Sequence, residues 1–353
     1  MAMKRLRAVL IALVVLLLAI SCQQQPLKLT TVAENVFFAW PRKDTTVFFR
    51  EEITGQDSEW SIWSLAHGTE ILLSSWPHEI PINPIVSPSG DNVLVWQLNG
   101  KHLLLHLQGN QVSWSPLRSG FLTWDPDGEY FLGDQGLLLE EPQLGMYDFT
   151  GQEQRRLEQA SLNFGEFLKN LMERNHCGYS LLNCYWINNT VVFVLARVSN
   201  VTSQPEYDMV SLQLDDFSIT EIPVSIQGHV LPSPNGERLL YTAYSKQNPK
   251  EWPAFVYDLK RNVQISVPAL DYIGKAVWSL DSNTLYYFRP GVNSASSNQN
   301  TTYQIAALSM STGEERILYA EVPSLKFYPF LQNNSLVYAT PDDQLISCPL
   351  PMP

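Results

Sequence analysis

The stretch Trp124-Asp125-Pro126-Asp127-Gly128 decides the fold, because variants of it recur along the chain. It places an aromatic residue before Asp, Pro and an Asp-Gly pair, and a segment rich in bulky residues follows in Glu129–Gly133. Pro ends the incoming strand, and Gly tolerates the positive φ that a tight turn requires. The phrase therefore predicts two antiparallel strands joined by a short turn.

Copies of this phrase recur at intervals of 38 to 62 residues. Val86-Ser87-Pro88-Ser89-Gly90 and Pro232-Ser233-Pro234-Asn235-Gly236 are clear copies, and a degenerate copy begins at Trp278. A period of about 40–50 residues is typical of β-propeller blades. We therefore predict an all-β fold, a single β-propeller of about seven four-stranded blades, rather than a β-sandwich with chance Pro-Gly turns. The copies begin at residues 40, 86, 124, 186, 232, 278 and 330.

The phrase resembles the Trp-Ser-Pro-Asp-Gly repeat of TolB-like, WD40-like β-propellers, and the resemblance covers most of the chain. It implies the propeller architecture. It says little about function, because that family includes scaffolds, periplasmic adaptors and accessory domains of enzymes. Its TolB-like members favour a protein partner.

Two segments fall outside the repeat. The seventh copy is followed by too little sequence for a full blade, whereas Leu27–Val32 has strand character and no blade of its own. We predict that Leu27–Val32 supplies the outer strand of the last blade and closes the ring, which removes exposed sheet edges. In the longest interval, apolar residues at helical spacing predict a short helical insert at about residues 160–175, capped by Ser161 or Asn163. This insert is either a helix packed on the rim or a helix that docks a partner.

The N-terminus has the pattern of an export signal. Basic residues at positions 4, 5 and 7 precede the apolar run Val9–Ile20, which is shorter than the roughly 20 residues that a membrane-spanning helix needs. Leu18–Cys22 resembles the lipobox of bacterial lipoproteins, which implies lipid attachment at Cys22 and cleavage before it. An ordinary signal peptide cut nearby and an uncleaved anchor are the alternatives. The predicted division is a lipoprotein signal peptide over residues 1–21, a lipidated tether over 22–26 and a propeller domain over 27–353, outside the cytoplasm on the cell membrane or outer membrane.

The chain is acidic, with 23 Lys and Arg against 35 Asp and Glu and a formal net charge of −12. Removal of residues 1–21 would leave 20 Lys and Arg and a formal charge of −15. This acidity argues against nucleic acid as a partner, because phosphates require Lys and Arg. It also argues against electrostatic docking on anionic lipid, so the N-terminal lipid would hold the protein at the membrane. We expect a monomer that binds a protein or peptide partner in the cell envelope.

No catalytic, cofactor-binding or metal-binding residue is predicted, since the sequence lacks the usual nucleophile, phosphate-loop and zinc motifs. Cys177 and Cys184 could form a disulfide in an exported compartment or remain reduced thiols. His102 and His106 fall on one face of a strand, but a zinc site would need a third ligand that the sequence does not identify. Asp125–Gly128 is too short for a calcium loop and is interpreted as a turn.

The lengths of the predicted connections differ between the two faces of the propeller. With strands labelled a to d from the axis outward, the a–b and c–d turns are short and share one face, the tight-turn face. The b–c and d–a connections are longer and share the other, the long-loop face, and binding residues usually lie on such loops. We predict a module that binds through this face; the alternatives are a hydrolase or lyase acting in the axial channel and a glycan-binding envelope protein. The candidate binding residues are Trp76, His78, Arg118, His229, Tyr272 and Arg289.

Two further expectations concern the channel and the tether. A channel mouth with converging His and carboxylate side chains would favour an enzyme, whereas a mouth of apolar and amide groups would favour binding. If Leu27–Val32 is an outer strand, it starts at the tight-turn face. The lipid would then hold that face near the membrane, and the long-loop face would point away from it.

Overall fold

The computed structural model describes residues 29–54, 57–77, 82–96, 102–117, 120–134, 141–198, 206–226, 229–243, 252–270, 272–291, 302–326 and 328–351. These residues form seven four-stranded antiparallel sheets, and the predicted seven-bladed β-propeller is confirmed. The predicted signal peptide, Cys22 and the tether lie outside the described residues.

The blades are numbered from the first complete sheet, and each begins with its inner strand, a. Blades 1 to 3 consist of β2 Val36–Arg42, β3 Thr45–Thr54, β4 Asp57–Ala66 and β5 Thr69–Pro77; β6 Ile82–Val86, β7 Asn92–Trp96, β8 His102–Gln108 and β9 Gln111–Pro116; and β10 Gly120–Trp124, β11 Tyr130–Asp134, β12 Leu144–Asp148 and β13 Glu153–Arg156. Blades 4 and 5 consist of β14 Gly178–Ile187, β15 Thr190–Val198, β16 Tyr207–Gln213 and β17 Ile219–Ile226; and β18 Val230–Pro232, β19 Arg238–Thr242, β20 Ala254–Asp258 and β21 Val263–Val267. Blades 6 and 7 consist of β22 Ala276–Trp278, β23 Thr284–Pro290, β24 Tyr303–Ser309 and β25 Glu315–Val322; and β26 Phe330–Gln332, β27 Ser335–Ala339, β28 Leu345–Pro349 and β1 Thr30–Ala33.

Blade 7 joins the two ends of the chain. Its three inner strands come from the C-terminal segment, and β1 pairs antiparallel with β28 as the fourth strand. Thr30 lies opposite Ser347, and Ala33 lies opposite Leu345. This confirms the predicted closure of the ring by an N-terminal strand. As a d strand, β1 begins on the side of the tight-turn face.

The repeated phrase forms the a–b turn in the same way in four blades. Its Ser or Asp side chain accepts a hydrogen bond from the backbone N–H five residues later, where strand b begins. This bond satisfies a backbone donor that the turn would otherwise leave without a partner. Asp125 is therefore a turn residue, as the sequence indicated. The bonds join Ser87 to Asn92, Asp125 to Tyr130, Ser233 to Arg238 and Ser279 to Thr284, at 2.8–3.0 Å.

The same phrase also connects neighbouring blades. The indole N–H of Trp124 donates to the backbone oxygen of Ile85 in blade 2, and Trp278 donates to Leu231 in blade 5, each at 3.1 Å. The turn glycines lie against the turn of the preceding blade; a Cβ on Gly236, for example, would lie 2.1 Å from a methyl carbon of Ile187. These repeats thus carry both their own turn and a contact with the preceding blade.

Helix α1, Glu158–Asn175, connects blade 3 to blade 4 and corresponds to the predicted insert. Its buried face, formed by Phe164, Leu168 and Leu171, belongs to the same apolar cluster as Leu144 of blade 3 and Val210 of blade 4. This face of the helix therefore packs on the rim of the propeller, which is one of the two alternatives predicted from the sequence. Within the described residues, no helix has the length and apolar character that crossing a membrane requires.

The predicted helix cap is wrong. The N-cap residue is Leu157, and no side chain caps the helix there. Ser161 lies inside the helix, where its hydroxyl donates to the Leu157 oxygen at 2.8 Å and accepts the Leu144 N–H at 2.9 Å. Asn163 instead donates its amide N–H to the Phe217 oxygen at 2.9 Å. Both polar side chains connect the helix to the blades rather than cap it.

Of the two alternatives for Cys177 and Cys184, the structure has the reduced one, since both are free thiols. Cys177 comes immediately before β14, and Cys184 lies inside that strand. At about 3.3 Å per residue, the extended chain separates them by roughly 20 Å, whereas disulfide-bonded Cα atoms lie about 4.4–6.8 Å apart. Cys184 is buried in the cluster beneath helix α1.

Candidate functional site

The mouth of the axial channel on the long-loop face is formed by the segments that enter each inner strand. Inner strands of adjacent blades touch, as β10 contacts β14 and β2 contacts β26. Strand a runs from the long-loop face to the tight-turn face, so residues just before β18, β22 and β26 lie around this mouth. These residues are His229, Tyr272 and Tyr328, and all three are exposed.

Tyr272 and Tyr328 come together from blades 6 and 7. Their hydroxyl oxygens are 3.2 Å apart and hydrogen-bonded, and their ring centroids are 6.5 Å apart. The exposed fractions of the two residues are 43% and 53%. Tyr offers both an apolar ring and a polar hydroxyl, and it is enriched among the residues that contribute most to binding.

Gly274 is the platform on which the two rings lie. Gly274 is buried and belongs to a short 3-10 helix, Ile273–Lys275, that leads into β22. A Cβ at this position would lie 2.4 Å from a ring carbon of Tyr272 and 2.8 Å from one of Tyr328. Any side chain here would displace the rings, so the absence of a side chain at Gly274 sets the position of both tyrosines.

Blades 4 and 5 contribute the other half of the mouth. The Asn183 amide nitrogen is hydrogen-bonded to His229 Nδ1 at 2.5 Å. The Tyr185 hydroxyl oxygen accepts the Val230 N–H at 3.3 Å. Burial raises the pKa of Tyr185, and the nearby Tyr328 and Tyr272 raise it further. Tyr185 is therefore a neutral phenol at physiological pH and lies near these two tyrosines.

We name Asn183, Tyr185, His229, Tyr272 and Tyr328 the axial cluster. Burial raises the pKa of Tyr328 as well, and its hydrogen bond to Tyr272 adds to the effect. The cluster thus presents three phenols, one amide and one imidazole, which can stack on a ligand and exchange hydrogen bonds with it. Among the residues that the structure describes, no three His, Cys, Asp or Glu side chains are placed to hold a metal ion.

Two of the six predicted binding residues, His229 and Tyr272, belong to the axial cluster. Arg289 does not, because its guanidinium binds both carboxylate oxygens of Glu315 at 2.9 and 2.7 Å within blade 6. Trp76 lies in β5, the outer strand of blade 1, away from the axis. His78 and Arg118 lie outside the described residues.

Asn183, Tyr185 and Tyr328 were not among the residues predicted from the sequence. Tyr328 stands two residues before the seventh copy of the phrase, and Tyr185 stands one residue before the fourth. An aromatic residue just before a phrase was thus the available signal, because that position lies in or next to an inner strand: Tyr185 lies inside β14, and Tyr328 precedes β26. Asn183 follows an irregularity in strand pairing between Leu181 and Asn183, which no sequence pattern indicates.

His106, considered above as half of a zinc pair, has a structural role. Its Nδ1 atom lies 2.7 Å from the Asn92 side-chain oxygen, and its ring stacks on Phe149 with centroids 4.3 Å apart. Asn92 in turn donates to the Gly128 oxygen of blade 3 at 2.7 Å. Burial lowers the pKa of His106. The residue therefore belongs to the seam between blades 2 and 3.

The fold and the axial cluster together define a seven-bladed β-propeller with an aromatic channel mouth. The sequence matches no protein-family model and no curated protein. Solved structures do match. An oligogalacturonate lyase from Vibrio parahaemolyticus is 11% identical over 92% of this chain and 94% of that one, with a TM-score of 0.58. An oligogalacturonate lyase in complex with manganese is 12% identical over 93% and 94%, with a TM-score of 0.57.

The β-propeller domain of the Trilobed protease from Pyrococcus furiosus is 12% identical over 89% of this chain and 95% of that one, with a TM-score of 0.56. That domain has an open velcro topology, whereas β1 closes the ring here. TolB from Acinetobacter baumannii also matches, at 13% identity, 86% and 79% coverage and a TM-score of 0.37. At these identities the likeness to the two lyases and to the protease domain confirms the predicted β-propeller fold and carries no activity to this chain.

Proposed function

We propose that this protein is a lipid-anchored, extracytoplasmic binding module whose axial cluster contacts a protein or peptide partner. The observation that carries the proposal is the composition of the channel mouth. Exposed Tyr272 and Tyr328 lie beside a neutral Tyr185 and the hydrogen-bonded pair Asn183 and His229. The axial cluster is amphipathic and contains no carboxylate, a composition that favours binding of a partner over acid–base chemistry.

The energetics of such a mouth support recognition of an inserted side chain or chain end. Tyr is enriched at binding hot spots because its ring buries a large apolar area with few rotatable bonds. The rings already rest on Gly274 and share a hydrogen bond, so little side-chain entropy remains to be lost on binding. The acidic body disfavours anionic ligands.

Lipid attachment at Cys22 remains part of the proposal. Cys22 and Thr30, where β1 begins, are eight residues apart, a distance that an extended chain spans in at most about 28 Å. A lipid at Cys22 would hold the tight-turn face towards the membrane and present the axial cluster to the far side. Metabolic labelling with an alkyne fatty acid tests the anchor. The unchanged protein should be labelled and Cys22→Ser should not; equal labelling of both would contradict it.

Site-specific photocrosslinking in native membranes tests the binding face. A benzophenone amino acid is placed at Tyr272 in the axial cluster or, as the control, at Leu280, which is 84% exposed in the a–b turn of blade 6. We expect a discrete crosslinked partner from position 272 and none from position 280. In a Tyr328→Ala background the crosslink at 272 should weaken at least fivefold. The same partner from both positions would contradict the proposed face.

A further inference from the structure

The seam between blades 4 and 5 opens into a cleft of about 370 Å³, away from the axial cluster. Buried Val192, Ile222 and Tyr257 form its apolar floor. Hydroxyl and amide side chains form its walls, namely Thr190, Ser211, Gln213, Thr220 and Asn262. The volume lies at the lower end of the range for small-molecule sites.

Comparison with blade 5 shows why the cleft exists. In blade 5, the cross-strand row Leu240, Val256 and Ile265 faces blade 6 and belongs to the apolar cluster of that seam. The row in the same register of blade 4 is Val192, Ser211 and Thr220, and it faces blade 5. Ser211 and Thr220 thus stand where blade 5 has Val256 and Ile265. Their smaller side chains leave the seam between blades 4 and 5 open at this row.

The next row towards the tight-turn face differs between blades 4 and 5 as well. In blade 5, Arg238 at this register donates to the Ser282 oxygen of blade 6 at 2.8 Å. In blade 4, the Thr190 hydroxyl instead donates to the Gln213 side-chain oxygen of its own blade at 2.8 Å. A hydrogen bond between blades 4 and 5 is made instead between their a–b turns, where the Asn188 side chain donates to the Asn235 backbone oxygen at 2.6 Å.

The donor set of the cleft indicates the class of ligand. Hydroxyls and amides of Thr, Ser, Gln and Asn can both donate and accept, as sugar hydroxyls do. Because the Gln213 oxygen is occupied by Thr190, its amide nitrogen is the group that Gln213 offers to a ligand. The apolar floor suits the C–H face of a sugar ring. Three exposed charges line the cleft, Glu221, Glu237 and Lys260. Glu221 is paired with Arg174 at 2.6 Å, and Glu237 and Lys260 have opposite signs, so the rim gives no preference for a charged ligand.

We propose that this cleft is a binding site for a neutral mono- or disaccharide, separate from the axial cluster. The test is calorimetric titration of the full chain with cellobiose, maltose and N,N′-diacetylchitobiose. At least one of these should bind with a millimolar or lower Kd. The double variant Ser211→Val, Thr220→Ile introduces residues of the blade 5 type and should weaken that binding at least tenfold. It should also unfold at a higher temperature than the unchanged protein, because it fills the seam.

The matched control is Ser115→Ile. Ser115 occupies the position in blade 2 that Thr220 occupies in blade 4, as the outermost member of the row Leu94, Leu104 and Ser115. This variant should bind sugar like the unchanged protein. Gln213→Ala is a second variant that leaves the floor intact and should weaken binding at least threefold. Failure of all three sugars to bind, or unchanged binding by the double variant and by Gln213→Ala, would overturn the proposal.

Discussion

Replacement of Gly236 by Ala should destabilise the propeller more than the same change at Gly313. Both glycines lie in turns and have positive φ angles, +69° and +72°. Gly236 lies in the a–b turn of blade 5, where a Cβ would be 2.1 Å from Ile187 Cγ2 and 2.6 Å from Asn188 Nδ2 of blade 4. Gly313 lies in the c–d turn of blade 6 and has no atom within 4 Å of the added Cβ.

The expected magnitudes follow from these two environments. A left-handed φ costs an alanine about 1 kcal/mol relative to glycine, and this cost applies at both positions. At Gly236 the Cβ must also displace two atoms of the neighbouring turn, and such overpacking costs about 1–3 kcal/mol more. We therefore expect losses of about 1 kcal/mol for Gly313→Ala and about 2–4 kcal/mol for Gly236→Ala.

Thermal and urea unfolding followed by circular dichroism would measure both losses under the same conditions. The difference between the two variants isolates the contact between blades, because the conformational cost is shared. Equal destabilisation by the two changes would refute the inference that the repeated turn glycine also serves the approach of the neighbouring blade.

Three further results are expected. Burial lowers the pKa of His106 below its ordinary value of 6.5, so the unfolded chain takes up a proton at higher pH than the folded protein. The free energy of unfolding, measured with urea, should therefore fall between about pH 7 and pH 5. It should fall less steeply in the variant His106→Gln. Trp278→Phe removes the hydrogen bond to the Leu231 oxygen and should cost about 2 kcal/mol, whereas Trp252→Phe at an exposed site should cost less than about 0.5 kcal/mol; equal costs would contradict the assigned role. Gly274→Ala should displace Tyr272 and Tyr328 and weaken the crosslink at position 272 at least fivefold without lowering the unfolding temperature as much as Gly236→Ala; full crosslinking would contradict the platform role.

The fold was predictable because its determinants are local. In four phrases the Ser or Asp side chain accepts a hydrogen bond from the backbone N–H five residues later. In three of them a glycine takes the positive φ within the same turn, so these repeats carry the information for their own hairpins. The closing strand followed from counting strands, since blade 7 lacked one and the N-terminal segment was left over. Pairing between two strands that are distant in sequence, β1 and β28, then completes the ring.

The axial cluster was only partly predictable because it draws on four blades. Tyr185 and Tyr328 are more than a hundred residues apart in sequence, and only ring closure brings them near each other. Arg289 looked like a free loop cation, but its partner Glu315 follows 26 residues later in the same blade. Cys177 and Cys184 looked close because the sequence does not show that an extended strand separates them.

An engineered disulfide between β1 and β28 tests ring closure most directly. Thr30 and Ser347 lie opposite each other, at a Cα separation of about 4.5–5.5 Å that a disulfide can span. The double variant Thr30→Cys, Ser347→Cys should oxidise almost completely, with the bond located by peptide mapping to distinguish it from the buried Cys348, and its unfolding temperature should rise. Free thiols at both positions under oxidising conditions would contradict the closure of the propeller by its N-terminal strand.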